Sequence, residues 1–172
     1  MKRLSGVLFF TLLIFCSPQN SLSQDSLKIA SKKVGFSAGI GFTDMMNIKV
    51  RVPLHQFQIA LGAGFMPLKE ENVLSVTGDV YYHFAGSSKY TGQRTWFIRT
   101  GLDFFKDEAD NFTEKYLFLG IRGGRVMNIS KVFAIDLDAG AGFTLWHDAT
   151  GDVLDIKPKV LPLISLSFVF MF

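Results

Sequence analysis

The chain has 172 residues, of which 48% are hydrophobic and 14% aromatic, and this length suits a single domain. Its 18 basic and 15 acidic residues include no run of five or more basic side chains, so no nucleic-acid partner is expected. Cys16 is the only cysteine, which excludes stabilisation by disulfides within the chain.

Residues 1–23 have the pattern of an export signal. Two positive residues are followed by an apolar run and then by the small-x-small sequence Ser21-Leu22-Ser23, which is typical of a cleavage site. The apolar run is shorter than the roughly 20 residues that a spanning helix needs. We therefore expect residues 1–23 to be removed, residues 24–33 to form a periplasmic lead-in and residues 34–172 to form the mature domain.

Lipidation at Cys16 is an alternative to cleavage after Ser23. An acylated Cys16 would become the mature N-terminus and anchor the protein to a membrane. Lipoprotein signals resemble one another in having a small residue just before the cysteine, whereas this chain has Phe15 there. The sequence therefore favours ordinary cleavage and leaves lipidation as the second reading.

From Val34 onward the chain repeats runs of about ten residues with an alternation of period two, separated by polar breaks. This is the period of a β-strand, whose successive side chains point to opposite faces. The breaks are rich in Asp, Asn, Gly and Pro, which favour turns. We predict eight strands, at approximately residues 34–42, 46–52, 56–66, 73–84, 95–105, 115–126, 132–146 and 160–172.

Each predicted strand has an apolar face and a face that is polar or small. The third strand is typical, with Phe57, Ile59, Leu61, Ala63 and Phe65 on one face and Gln56, Gln58, Ala60, Gly62 and Gly64 on the other. Alternation by itself does not say which face is inside, because a soluble sandwich and a membrane barrel share the pattern.

Glycines and charged residues share one face, and this indicates a narrow polar interior. Small residues on some strands leave room for long side chains that reach across from the opposite wall of a closed barrel. Unpaired buried charge is costly, so cations and carboxylates inside should pair. We predict a lumen charge network of Lys49, Arg51, Asp79, Arg99, Asp103, Arg122, Asp136 and Asp138, with the direction of Arg122 depending on a register of strand six that the sequence leaves open.

Aromatic residues on the apolar faces are spaced as in a membrane barrel. Phe57 and Phe65 are eight residues apart, as are Trp96 and Phe104. At about 3.3 Å per residue and a tilt near 40°, that spacing is roughly 20 Å along the membrane normal. This is close to the height of an apolar band between two aromatic girdles.

The chain ends on a strand, LISLSFVFMF, with its apolar residues on one face. With the export signal and the eight alternating segments, this ending resembles the small eight-stranded outer-membrane β-barrel proteins of Gram-negative bacteria, the outer membrane protein beta-barrel domain family. The resemblance implies an all-β, eight-stranded, antiparallel, up-and-down transmembrane β-barrel in the outer membrane. In that family the outer-membrane assembly machinery reads the last strand, a role that would fall to Phe168, Phe170 and Phe172.

The even number of strands brings both chain ends to the periplasmic side. The connections after strands one, three, five and seven are then outside, and the break at residues 85–93 becomes a periplasmic turn that is longer than usual. The boundary between strands four and five is therefore open.

The candidate chemical motifs are weak. Asp136-x-Asp138-x-Gly140 is similar to the start of a calcium loop but lies within a regular strand, and His55, His83 and His147 lack metal-ligand spacing, so no metal or cofactor is expected. The predicted outer loops are acidic and offer a place for divalent cations that bridge lipid head groups. Their charged residues are Lys106, Asp107, Glu108, Asp110 and Glu114 in one loop, and Asp148, Asp152 and Asp155 in another.

The sequence favours a non-enzymatic outer-membrane barrel with a structural or surface-interaction role through its extracellular loops. Its expected partners are outer-membrane lipids and the assembly machinery. Two alternatives remain open. One is a barrel-borne enzyme acting on envelope lipids, for which His147 and Asp148 are the starting point. The other is a secreted lipocalin-like barrel, which should instead have its aromatic residues inside.

Overall fold

Eight antiparallel strands form a closed barrel in the computed structural model, which describes residues 34–67, 71–109, 111–151 and 159–172. The strands are β1 (Gly35–Gly41), β2 (Met45–Leu54), β3 (Phe57–Pro67), β4 (Glu71–Ala85), β5 (Trp96–Ala109), β6 (Phe112–Asn128), β7 (Phe133–Gly151) and β8 (Val160–Met171). Each strand pairs with its neighbours in sequence, and β1 pairs with β8 to close the barrel. The predicted eight-stranded antiparallel up-and-down barrel is confirmed. The described ranges contain no helix able to cross a membrane.

The predicted signal peptide, the lead-in and Cys16 lie outside the described residues. So do Asp110, Asp152 and Asp155 of the predicted outer loops.

Strands β5, β6 and β7 extend further toward their outer ends than predicted. Residues 106–113 were expected to form a loop, but β5 continues to Ala109 and β6 begins at Phe112, with Lys106 opposite Lys115. Likewise β7 runs to Gly151, through the predicted loop at His147. The backbone ladder does not need apolar side chains, so the loss of alternation marks where these strands leave the apolar surface and not where their pairing ends.

The connection from β4 to β5 is long, as the sequence indicated. It joins Ala85 to Trp96. Arg94 ties this connection to the end of β4 through its side chain and its backbone. Its Nη1 donates to the Phe84 carbonyl at 2.7 Å, and its own carbonyl oxygen lies 2.9 Å from Nδ1 of His83.

The barrel wall has two rims of unequal shape. We call the rim with Val34, Phe172 and the β4–β5 connection the inner rim, and the rim with the β1–β2 turn the outer rim. The outer rim is low at β1, which has 7 residues, and high at β6 and β7, which have 17 and 19. Gly41, the last residue of β1, pairs with Ser165, whereas β8 continues past that point to Val160. The wall is therefore lowest beside the outer end of β8.

Large apolar side chains cover the outside of the barrel, and charged side chains lie inside. Ile48, Leu61 and Ile164 are more than 60% exposed on β2, β3 and β8. By contrast, the inward-facing charged residues are almost completely buried: Lys49 on β2 and Arg99 and Asp103 on β5 are each 1% exposed. A soluble barrel has the opposite arrangement, because its apolar faces point inward. The structure thus decides the question that alternation left open.

Aromatic rings cluster on the outside near the inner rim. The ring centroids of Phe57 and Tyr82 are 5.1 Å apart, and those of Phe133 and Phe170 are also 5.1 Å apart. At the same level the guanidinium of Arg125 lies 5.3 Å from the ring centroid of Trp96. Such rings and a cation beside an apolar surface are typical of the boundary between hydrocarbon and water.

Candidate functional site

The lumen holds all eight residues of the predicted charge network. Alternation directs Lys49 and Arg51 inward from β2, Asp79 from β4, Arg99 and Asp103 from β5, Arg122 from β6, and Asp136 and Asp138 from β7, and each is at most 3% exposed. Arg122 faces inward because it pairs with Arg99 across β5 and β6. The register of β6 that the sequence left open is thereby fixed.

A ninth charged residue, Asp44, joins this network from the turn between β1 and β2. Its carboxylate lies 2.8 Å from Nζ of Lys49, 2.7 Å from Nη2 of Arg99 and 3.1 Å from Nη2 of Arg122. The sequence analysis treated Asp44 as a turn residue only, because aspartate is common in turns. In the structure β1 is only 7 residues long, which brings the turn down to the level of the lumen, and alternation gives no signal of this.

Three layers of ion pairs follow one another along the lumen. In the outer layer, Arg122 donates to Asp103 at 2.6 Å, and the Thr43 hydroxyl donates to the same carboxylate at 3.1 Å. In the middle layer, Arg99 donates to both oxygens of Asp79 at 2.8 Å.

Other residues join the middle layer and form the inner one. Lys49 donates to Asp79 at 2.9 Å. In the inner layer, Arg51 pairs with Asp136 and lies 5.0 Å from the ring centroid of Tyr81. Some pairs join non-adjacent strands, such as Arg51 of β2 with Asp136 of β7, so the network fills the interior of the barrel and ties its walls together.

Glycines make room for the network, as the shared face indicated. A Cβ at Gly101 would lie 2.5 Å from the Gly78 carbonyl oxygen and would also collide with the Asp79 carboxylate. Gly62 leaves space for the stem of Lys49 and Gly64 for the backbone of Asp44. Each position holds an arm or a turn that crosses from another strand.

The charges do not balance among the described lumen residues. Five carboxylates, including that of Asp44, face the four cations Lys49, Arg51, Arg99 and Arg122. Burial alone would raise the pKa of Asp44, but the cations of Arg99, Lys49 and Arg122 outweigh burial and hold its pKa well below the ordinary value. Asp44 is therefore ionised at neutral pH.

A separate apolar cavity of about 250 Å³ lies beyond the outer layer of ion pairs. It is lined by Phe42, Thr43, Met45, Phe105, Tyr116, Phe118 and Leu161. The rings of Phe118 and Tyr116 stack with centroids 5.4 Å apart, and Tyr116 stacks on His147 at 4.3 Å. The sequence analysis missed this cavity, because it left the register of strand six open and gave no direction for Tyr116 and Phe118.

His147 and Asp148 do not form a catalytic pair. They are adjacent on β7 and so point to opposite faces, with His147 beside Tyr116 and Asp148 exposed. Instead, His147 lies near Glu114, whose Oε1 is 3.8 Å from Nε2, and Glu114 accepts a hydrogen bond from the Tyr116 hydroxyl at 3.1 Å.

The predicted acidic loop residues that the structure describes lie in strands. Lys106, Asp107 and Glu108 belong to β5 and Glu114 belongs to β6. No group of three or more potential metal ligands occurs within the described ranges. The location of any divalent cation therefore stays a prediction.

The three aromatic residues of the last strand point outward. Phe168, Phe170 and Phe172 lie on the exposed face of β8 and its end, and Phe172 is 71% exposed. The N–H of Phe172 donates to the Val34 carbonyl at 3.3 Å, and its ring lies 6.3 Å from that of Phe36. The end of the chain thus sits on the β1–β8 seam at the inner rim.

Comparisons with known proteins support the fold. Acinetobacter baumannii CarO superimposes with a TM-score of 0.50 at 12% identity, over 81% of this chain and 98% of CarO. Neisserial surface protein A, NspA, superimposes with a TM-score of 0.53 at 11% identity, over 81% of this chain and 95% of NspA. Both are small eight-stranded outer-membrane barrels of Gram-negative bacteria. No protein-family profile and no curated protein sequence matches the chain.

Proposed function

From the premise that the chain has the closed eight-stranded fold of the small outer-membrane β-barrels of Gram-negative bacteria, we propose that it is an integral protein of that membrane. Its role is structural or consists of surface interactions, and the outer ends of its longer strands provide the interaction surface. The observation that carries the proposal is the apolar exterior around a charged interior.

The exterior fits lipid better than water. Exposed large apolar side chains occur on every strand, and such a continuous surface exceeds the patches of a few hundred Å² that soluble monomers tolerate. A soluble lipocalin-like barrel would also lose stability by placing Lys49, Arg99 and Arg122 inside. Outer-membrane lipids are therefore the proposed partners of this surface.

The lumen argues against a wide pore. An eight-stranded barrel encloses a space that side chains can fill, and here Arg99 alone contacts Asp44 of the first turn, Asp79 of β4 and Asp138 of β7. We expect the ion pairs to block solutes and to stabilise the barrel.

The outer ends of β5, β6 and β7 are the proposed interaction surface. They extend beyond the apolar exterior and carry Lys106, Glu108, Lys115 and Asp148. Binding residues are often presented on such projections from a rigid scaffold. The enzyme alternative has less support, because His147 and Asp148 point apart.

The two ends of the chain would direct the protein to the outer membrane. Residues 1–23 direct export and are cleaved, and Phe168, Phe170 and Phe172 present the strand that the assembly machinery reads. Divalent cations at the acidic outer residues are a further proposed partner.

Cell fractionation followed by electrophoresis with and without boiling tests the proposal. Closed membrane barrels stay folded in detergent until heated, so we expect the protein in the outer-membrane fraction with a heat-dependent mobility. Planar bilayers should show no large steady conductance. Recovery from the soluble periplasm would overturn the membrane assignment, and large currents would overturn the sealed lumen.

A further inference from the structure

The low part of the outer rim leaves one edge of β8 open. Gly41 of β1 pairs with Ser165, and the N–H of Phe42 donates to the Ile164 carbonyl at 3.2 Å. Beyond Ile164, β8 continues to Val160 and pairs with β7 up to Phe143, but no described strand pairs with its other edge. In the part of the wall that the structure describes, a gap therefore lies beside residues 160–163.

Pro162 occupies the open edge. Residues two apart in a strand direct their N–H and C=O groups to the same neighbour. Since the Ile164 carbonyl faces β1, the Pro162 nitrogen faces the same side, where the gap is. A backbone N–H left unpaired in hydrocarbon costs several kcal/mol. Proline has no N–H, so Pro162 avoids this cost at the open edge. The sequence is thus adapted to a gap at this point.

The apolar cavity lies directly inside this gap. Leu161 on the open edge of β8 and Phe42 and Met45 on the low wall line its near side. Phe105, Tyr116 and Phe118 line its far side on the high wall of β5 and β6.

The lining continues onto the outside of the barrel without a polar boundary. Phe42 lines the cavity and is itself exposed, and the outward-facing residues next to the gap, Met46, Val160 and Ile164, are large, apolar and exposed. The cavity and the apolar exterior therefore form one continuous apolar surface.

We propose that the gap is a side entrance through which the cavity takes the end of a single alkyl chain of an outer-leaflet lipid. This inference rests on the proposed membrane location. An apolar cavity of about 150 Å³ accommodates benzene, so by scaling about 250 Å³ holds a segment of roughly ten carbons. That volume suits one chain end and excludes a second chain or a head group.

The floor of the cavity sets the depth of the chain. Thr43 lines the cavity and donates to Asp103, and the neighbouring Asp44 belongs to the ion-pair network. A methyl terminus would rest against this floor, because burying hydrocarbon among the charges would separate the ion pairs. The chain enters from the side and stops at the outer layer of the network.

Native mass spectrometry and NMR on the full protein in lipid bicelles test the inference. The probes are a lysophospholipid and a free fatty acid with the same chain, and a two-chain phospholipid as the bulk lipid. We expect one retained chain per wild-type barrel and intermolecular NOEs between its terminal methyl protons and the ring protons of Tyr116. Retention of the lysophospholipid but not the fatty acid would assign the source to a lipid with a head group outside the gap. The reverse would assign the source to a free fatty acid and overturn the proposal of an outer-leaflet lipid.

Two tryptophan variants supply the matched control. Leu161→Trp fills the cavity from β8, whereas Ile164→Trp adds the same ring to the outer face of the same strand. We expect loss of the retained chain in the first and wild-type retention in the second. The NOE experiment uses the unaltered chain, so it decides the question even if Leu161→Trp does not fold. A barrel that fractionates with the outer membrane but shows no NOE and no difference between the variants would overturn this inference and leave the proposed function standing.

Discussion

The Asp44 carboxylate in the first turn lies 2.7 Å from Nη2 of Arg99 on the opposite wall of the barrel. The same carboxylate also contacts Lys49 and Arg122, so one short turn neutralises part of the charge on three strands. Asp44 and Arg99 are each 1% exposed, so breaking their ion pair would leave buried charge without its partner, which is costly.

Replacing Asp44 by asparagine should lower the free energy of unfolding by about 3 kcal/mol, because three buried cations each lose one of their close carboxylate contacts. Equilibrium unfolding in urea from lipid vesicles measures the effect. Asp148→Asn, at an exposed position of β7, is the control and should change the free energy by less than about 0.5 kcal/mol. Equal effects of the two substitutions would show that the Asp44 contacts do not stabilise the barrel.

Acid should destabilise the wild-type barrel more than Asp44→Asn. The pKa of Asp44 in the folded state is below its ordinary value of 3.8, so the unfolded chain takes up the proton first. The stabilisation from this group is fully present above that value and is lost as the pH falls below it. Unfolding measured between pH 6 and pH 3 should show a steeper loss in the wild type, and parallel curves would contradict the assignment.

An arginine on the apolar exterior should be costly at mid-height only. Leu61→Arg places the charge on β3, where the side chain is 67% exposed, and should cost about 2 to 4 kcal/mol in a lipid bilayer. Leu54→Arg, at the end of β2 beside the inner-rim turn, should cost about 0 to 1 kcal/mol because the charge can reach water. Refolding titrations in vesicles compare the two, and similar costs would mean that the exterior does not face hydrocarbon.

Two glycine substitutions separate the crowded interior from the exterior. Gly101→Ala should destabilise the barrel by about 1 to 3 kcal/mol, since its Cβ would collide with Asp79 and the Gly78 carbonyl. Gly123→Ala on β6 has open space within 4 Å of the new Cβ and should be neutral or stabilising by up to about 1 kcal/mol. The denaturant midpoints of the two variants provide the test, and a tolerated Gly101→Ala would indicate a looser lumen.

Deletion of Phe172 should impair membrane insertion in cells far more than refolding into detergent. Phe172 makes one backbone hydrogen bond and one ring contact, with Phe36, so its deletion should lower the free energy of unfolding only slightly. A large loss of outer-membrane yield at matched expression would therefore point to recognition by the assembly machinery. Unchanged yield in cells would remove that reason for a terminal phenylalanine.

The strands could be predicted from the sequence because each lies between an apolar and a polar environment. Phe57, Ile59 and Leu61 alternate with Gln58, Ala60 and Gly62, and that pattern specifies both the strand and its two faces. Outside the apolar exterior the pattern ends, so the extensions of β5 and β7 to Ala109 and Gly151 were not predictable from alternation. Their pairing depends on backbone hydrogen bonds alone.

The lumen residues were predictable for the same reason, with two exceptions. Asp44 was missed because it lies in a turn, where alternation carries no information about direction. Tyr116 and Phe118 were missed as cavity residues because the register of strand six was left open, and the structure shows that these two face inward above the ion pairs. Three-dimensional features such as the height of the wall have no local sequence pattern.

The contact between Asp44 and Arg122 also bears on the order of folding. It joins residues 78 positions apart, and the β1–β8 pairing that closes the barrel joins residues still further apart. Contacts between such distant segments form late and slow the folding of a chain. Until β5 and β6 are in place, the acidic turn of the first hairpin has Lys49 beside it but lacks Arg99 and Arg122, which disfavours its burial. A partly assembled barrel is therefore less stable than the sum of its hairpins would suggest, and closure becomes a cooperative final step.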